Sequence, residues 1–124
     1  MKPELIEHTN PYPQEYVTKD LSRIRELLHP NFIDNLNLSL AEAIVDAGHS
    51  TQKHMHTNGI EIYYCLNGEG TLFIDEKAYE FSKDRFYLIP QHASHYLVAK
   101  TQLNLLCICQ PAYDHEKTLL LSED

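Results

Sequence analysis

From Leu36 to Cys109 the chain runs as short segments of alternating apolar and polar residues, each cut off within a few positions by turn formers. Such segments at regular intervals predict an all-β sandwich or barrel, because side chains two apart on a strand share a face and one face of each strand must be buried. The expected strands are Leu36 to Val45, Gln52 to His56, Ile60 to Leu66, Thr71 to Ile74, Ala78 to Phe81, Phe86 to Ile89, His95 to Val98 and Leu103 to Cys109. Asn58-Gly59, Asn67-Gly68-Glu69-Gly70 and Asp75-Glu76-Lys77 separate them as turns. Nothing repeats along the chain at a useful length, and no segment is of low complexity.

The flanks read differently. The first twenty residues carry Pro3, Pro11 and Pro13 among mixed polar residues, which suits an extended arm on the surface. Thr18 to His29 fits two patterns. Leu21, Ile24, Leu27 and Leu28 follow helical spacing after an Asp20 or Ser22 cap, while Ile24, Glu26 and Leu28 alternate as in a strand. The last residues, 114–124, hold an apolar Thr118 to Leu121 patch compatible with a strand, a helix or a frayed end. The expected organisation is an arm at 1–30 packing on the barrel or on a partner subunit, a barrel at 31–113 and a tail at 114–124.

With 124 residues there is room for one core and no separate cofactor domain. Eighteen acidic against ten basic residues give a formal charge of −8, which repels a phosphate backbone and argues against nucleic acid as a partner. No apolar run reaches the roughly 18 residues of a membrane-spanning helix, so no membrane is expected as a partner. Three cysteines, Cys65, Cys107 and Cys109, without a C-x-x-C pair or a leading apolar segment, suit a reducing, cytoplasmic setting. Cys107 and Cys109 stand in an apolar run and read as core thiols.

Against this ordinary background stand eight histidines. Gln52, His54 and His56 point to one side of their strand. Glu61, five residues beyond His56, would face the other way in an unbroken strand, but a turn at Thr57-Asn58-Gly59 lets the next strand aim Glu61, Tyr63 and Cys65 back at the same interior. His95, after Pro90, is the fourth candidate. Three imidazoles and one carboxylate suit a divalent transition metal with coordination positions left open. His8, His29, His49 and His115 fall in expected loops or tails.

The first segment, Gly48-x5-His54-x-His56-x4-Glu61-x6-Gly68, resembles the first motif of the cupin superfamily at every position. The second keeps Pro90 and His95 of the second cupin motif, with Asp84 and His92 where that motif has glycines and Ala99 in place of its last asparagine. Ser39-Leu-Ala-Glu-Ala43, Glu61-Ile-Tyr-Tyr64 and Cys107-Ile-Cys-Gln-Pro-Ala-Tyr113 also look like small single-domain cupins. The resemblance implies a double-stranded β-helix, or jelly-roll, barrel holding one divalent transition metal per chain on His54, His56, Glu61 and His95. Iron or manganese is favoured, with zinc, nickel and copper as alternatives. It implies a metal-dependent enzyme acting on a small oxygenated substrate (a carboxylate, an enediol or a sugar derivative) by decarboxylation, oxygenation, isomerisation or lyase chemistry. A non-catalytic metal- or ligand-binding module is the alternative.

Gln52, Tyr63 and Cys65 are expected to line the substrate pocket, and Tyr63 and His92 to be acid or base candidates. Asp84 and His92 must either take the left-handed backbone that glycine allows or turn differently, and a different turn would misaim His95. Finally, Ile60, Ile62, Tyr64 and Leu66 make the opposite face of the Glu61 strand apolar too, which points to an isologous homodimer.

Overall fold

The structure is a computed structural model that describes residues 14–121. Eleven strands are named among them: β1 (Glu15–Val17), β2 (Arg23–Leu28), β3 (Ser39–Val45), β4 (His54–His56), β5 (Ile60–Asn67), β6 (Glu69–Ile74), β7 (Lys77–Ser82), β8 (Phe86–Ile89), β9 (His95–Ala99), β10 (Leu103–Gln110) and β11 (Thr118–Leu120). They form two antiparallel sheets, one ordered β1-β2-β3-β10-β5-β8 and the other β11-β4-β9-β6-β7. The fold is the all-β jelly-roll barrel of the cupins. The eight strands expected between Leu36 and Cys109 are all present, with ends displaced by a few residues.

Alternation decides what each strand buries. On β3, Ala41, Ala43 and Val45 face in; on β5, Tyr63 and Cys65; on β10, Leu103 and Leu105. Leu72, Phe81, Leu97 and Ala99 answer them from the other sheet, and these residues form one continuous core. Burying side chains of this size stabilises by about 1.5–3 kcal/mol each.

The ambiguous segment before the barrel is a strand. β2 pairs with β3 through Ile24↔Ala43 and Glu26↔Ala41, which buries Ile24 and turns Glu26 inward. Asp20 and Ser22 therefore cap no helix. They sit in a tight turn between β1 and β2, where the Thr18 N–H donates to the Ser22 carbonyl and Leu21 takes φ +74°. Residues 1–13 of the expected arm lie outside the described residues. At the other end, β11 pairs with β4 through Thr118↔His56 and Leu120↔His54, so the Thr118 to Leu121 patch closes a sheet edge. Among the described residues, no helix is long and apolar enough to cross a membrane.

Candidate metal centre

Two strands of one sheet and one strand of the other bring the centre together. His54 on β4 and His95 on β9 are direct cross-strand partners, and His56 follows His54 on the same face. Glu61 reaches them from β5 in the facing sheet. The turn expected at Thr57-Asn58-Gly59 makes this possible: Gly59 has φ +79°, and the chain re-enters at Ile60 with Glu61 inward. A Cβ on Gly59 would stand 2.1 Å from the Gln110 carbonyl oxygen, so the turn also needs glycine for space. Asp84 and His92 take φ +70° and +69°, the left-handed geometry of the glycines they stand for, and His95 is aimed inward at 1% exposure.

The donor atoms of His54, His56, Glu61 and His95 all lie within 4.8 Å of one another. Their tautomers are fixed from behind. His54 Nδ1 is 2.8 Å from the Gln52 carbonyl oxygen, and His95 Nδ1 is 3.0 Å from that of Ala93. A carbonyl only accepts, so both Nδ1 atoms carry the proton and both Nε2 atoms present lone pairs. His56 Nδ1 lies 3.1 Å from Thr118 Oγ1, whose own proton goes to the Asp114 carbonyl. Glu61 Oε1 in turn sits 2.9 Å from His56 Nε2 and 3.1 Å from His95 Nε2. With Nδ1 protonated, these are lone pairs facing lone pairs, an arrangement that a cation between them satisfies. Imidazoles with the second nitrogen hydrogen-bonded behind are how histidine is held for metal binding, so the donor set fits a divalent transition metal.

Ionisation follows the same logic. Burial drives the His54 imidazole down to about 4, with His95 adding to the effect, and keeps its lone pair free. Burial alone would raise Glu61, yet the hydrogen bonds and charges of His56 and His95 hold it well below the usual carboxylate range. Burial would lower His56, and Glu61 lifts it above the ordinary imidazole value. The two shifts share one cause, the His56–Glu61 contact, which favours the charged form of each.

His54, His56 and Glu61 of the cluster line an inner cavity of about 40 Å³, whose wall also includes Asp20, Glu26, Tyr63, Cys107, Cys109 and Tyr113. Glu26 and Tyr113 also border a wider outer space of about 660 Å³ lined by Tyr16, His29, Asn31 and Phe32. The inner volume is of the order of one metal ion and a water, and the outer one is in the range of small-molecule sites. No lysine or arginine is among the described residues lining either.

The expected pocket residues separate. Tyr63 is in the inner wall, its ring edge-on to His95 at 5.8 Å, and burial with nearby Glu61 pushes its hydroxyl well above the ordinary value, so it is a proton donor and no base. Gln52 is exposed and lines neither cavity, because β4 starts at His54 and the alternation does not extend back to it; its backbone carbonyl holds His54 instead. Cys65 shares the Glu61 face but lies deeper, fully buried beside Leu105, with its thiol directed at the Asn67 carbonyl. His92 is exposed outside both cavities, and its N–H donates to the His56 carbonyl. The core thiols Cys107 and Cys109 turn out to face the cavity, where the Cys109 thiol donates to Glu61 Oε2 at 3.3 Å. Asp20, Glu26 and Thr118 were not expected there at all. The alternating polar run Thr18, Asp20, Ser22 was the available signal, since all three are buried.

Comparison with known proteins agrees with this architecture. The family model for ectoine synthase matches residues 7–118. The Methanocaldococcus jannaschii protein MJ1618, itself uncharacterised, is 43% identical over 86% of each chain. The L-ectoine synthase of Oceanobacillus iheyensis is 34% identical over 64% of this chain and 62% of that enzyme, so the likeness to it stops short of two thirds of its length. Among solved structures, ectoine synthase from P. lautus superposes with a TM-score of 0.69 at 24% identity, covering 89% of this chain and 80% of that one. An RmlC-like cupin from Shewanella frigidimarina gives 0.73 at 19% identity over 87% and 94%. At those identities the superpositions speak for the fold. The sequence match, running from before β1 into β11, carries the assignment: the chain belongs to the ectoine synthase family.

Proposed function

We propose that the protein is a metal-dependent lyase that removes water from a small oxygenated substrate without a phosphate group. The observation that carries this reading is the convergence of three Nε2 lone pairs and the Glu61 carboxylate beside a small cavity that shares Glu26 and Tyr113 with a larger one. His54, His56, Glu61 and His95 would hold one divalent ion, iron or manganese before zinc, nickel or copper. Such an ion supplies Lewis acidity toward substrate oxygens. The chain's own residues do the rest. Thr118 fixes the His56 ring, Cys109 fixes the Glu61 carboxylate, and Tyr63 keeps its proton and offers it to an oxygen that gains charge. Among the described residues the cavity walls hold no lysine or arginine, which disfavours phosphorylated substrates. The family membership supports dehydration over the other cupin chemistries, since relatives are named L-ectoine synthases and a neighbour in fold, Pac13, is described as a nucleoside dehydratase.

The proposed division into 1–30, 31–113 and 114–124 has a functional side in this reading: Asp20 and Glu26 of the first segment and Thr118 of the last join the cavity wall. We also infer a homodimer. The outer face of β5, β8 and β10 pairs Ile62 with Leu88 and Ile108, and Tyr64 with Phe86 and Leu106, leaving Phe86 67% and Leu88 54% exposed. Three unpaired thiols support a reducing, cytoplasmic setting.

The test is elemental analysis of protein expressed with iron, manganese, nickel and zinc available, beside a His54→Ala, His56→Ala variant, followed by mass spectrometry of L-ectoine and of small hydroxy acids incubated with each. The expected result is about one equivalent of metal per chain in the unsubstituted protein alone, and metal-dependent gain or loss of one water. Absence of metal overturns the site. Bound metal with no change in any compound overturns the lyase reading and leaves a binding module.

A further inference from the structure

The turn between β1 and β2 delivers a second carboxylate to the cluster. Asp20 is buried, and its two oxygens have different surroundings. Oδ1 accepts from the Thr18 hydroxyl, from the Ser22 hydroxyl at 2.8 Å and from the Ser22 N–H at 3.2 Å. Oδ2 accepts from none of the described residues and lies 3.4 Å from His54 Nε2. Because His54 Nδ1 carries the ring proton for the Gln52 carbonyl, that contact too is a lone pair facing a lone pair. It repeats the arrangement of Glu61 Oε1 against His56 and His95 at 2.9 and 3.1 Å. The turn is built to hold it. Leu21 accepts the left-handed backbone at φ +74° with its side chain 58% exposed, which keeps the neighbouring Asp20 inward.

We propose that Asp20 is a fifth metal ligand, binding through Oδ2, so that the centre comprises three imidazoles and two carboxylates. The proposal rests on the metal-binding reading above. Two carboxylates neutralise a divalent ion, add oxygen character that favours iron or manganese over softer ions, and leave fewer positions open to substrate. They also make the segment before the barrel a working part of the centre. Asp20 lies outside the set whose atoms are all within 4.8 Å, and the 3.4 Å contact with His54 is what brings it within reach of a shared ion.

The test uses Co²⁺ as probe, with affinity measured by competition against a chelator and the ligand field read from the visible absorption bands. The Asp20→Asn variant keeps an oxygen for Thr18 and Ser22 and removes the anionic donor; Asp20→Ser is the second variant, and circular dichroism and melting confirm that each is folded. The expected result is Co²⁺ affinity lower by about tenfold or more in both Asp20 variants, with shifted bands. Equal affinity and equal bands overturn the proposal. Weaker affinity with unmoved bands overturns it as well, since Asp20 then acts only through His54. If the unsubstituted protein takes up no Co²⁺, the four-residue centre fails first, an outcome distinct from failure of Asp20 alone.

Discussion

Substituting alanine at two glycines separates the two reasons for which this fold needs glycine. Gly48 and Gly59 have nearly the same backbone, φ +78° and +79°, so alanine meets the same conformational penalty at both, about 1–2 kcal/mol. Their surroundings differ completely. A Cβ on Gly48 has nothing within 4 Å, whereas one on Gly59 would stand 2.1 Å from the Gln110 oxygen, 2.4 Å from Pro111 Cδ and 2.7 Å from the Gln110 carbonyl carbon. None of these can rotate away. The turn itself must move, at a further cost of about 1–3 kcal/mol typical of overpacking. Gly48→Ala should therefore lower stability by about 1–2 kcal/mol and Gly59→Ala by about 2–5 kcal/mol. At roughly 4 °C per kcal/mol for a domain of this size, the melting temperatures should fall by about 4–8 °C and 8–20 °C. Urea melts at fixed pH give the energies directly. Since Glu61 follows Gly59 by two residues, Gly59→Ala should also weaken metal binding, and Gly48→Ala should leave it unchanged. Equal losses of stability in the two variants, or full metal affinity in Gly59→Ala, would refute the claim that the turn aims Glu61.

Other outcomes follow from the centre and the outer face. In metal-free protein His54 titrates at about 4 against an ordinary 6.5, so the unfolded chain binds the proton first and stability falls as pH drops from about 6.5 to 4, by about 3 kcal/mol in all. His56 has the opposite sign: its contribution is complete below 6.5 and lost as pH rises through its raised value. Glu26, raised by burial, also gains stability on acidification, so the His54 contribution is read as the difference between the unsubstituted protein and His54→Asn across that window; equal slopes would contradict it. Metal at a hundred times its dissociation constant should add about 2.7 kcal/mol, or about 10 °C, to the melting temperature, and a His54→Ala, His56→Ala variant should show no such shift in differential scanning calorimetry. Light scattering should give a dimer that Phe86→Glu with Leu88→Glu converts to monomer, and a monomeric unsubstituted protein would contradict the apolar-face argument.

Most of the barrel was legible because each strand buries one face, and alternation records which one. β3 is the clearest case, with Ser39, Ala41, Ala43 and Val45 buried and the residues between them partly exposed. β2 was not legible, since Leu21, Ile24, Leu27 and Leu28 satisfy a helix as well as Ile24, Glu26 and Leu28 satisfy a strand. Pairing with β3 decides it, and that is a contact between segments no local pattern encodes. The four metal candidates come together because spacing and a turn fix which way their side chains point. Parity says nothing of depth, however. Cys65 shares the face of Glu61 and Tyr63 yet belongs to the core, while Gln52 shares the parity of His54 yet precedes the strand. Asp20 and Thr118 were missed for a different reason: each enters the centre from a flank that folds back over it.

The second motif shows how far such a pattern bends without losing its geometry. Asp84 and His92 stand where glycines are expected, and both keep the left-handed backbone at φ +70° and +69°. Both are exposed, so their side chains extend into solvent and the departure costs only the conformational term, about 1–2 kcal/mol at most and less for residues such as aspartate and histidine that visit this region more readily. Asp84 recovers part of it through a hydrogen bond from the Tyr64 hydroxyl, and His92 through its N–H to the His56 carbonyl, which ties the turn to β4, the strand that carries His54 and His56. At Gly59 the same exchange is closed, because backbone atoms occupy the space. A glycine in such turns is therefore replaceable where only φ demands it and fixed where a neighbouring backbone also does. This is why a degraded second motif still delivers His95 to the centre.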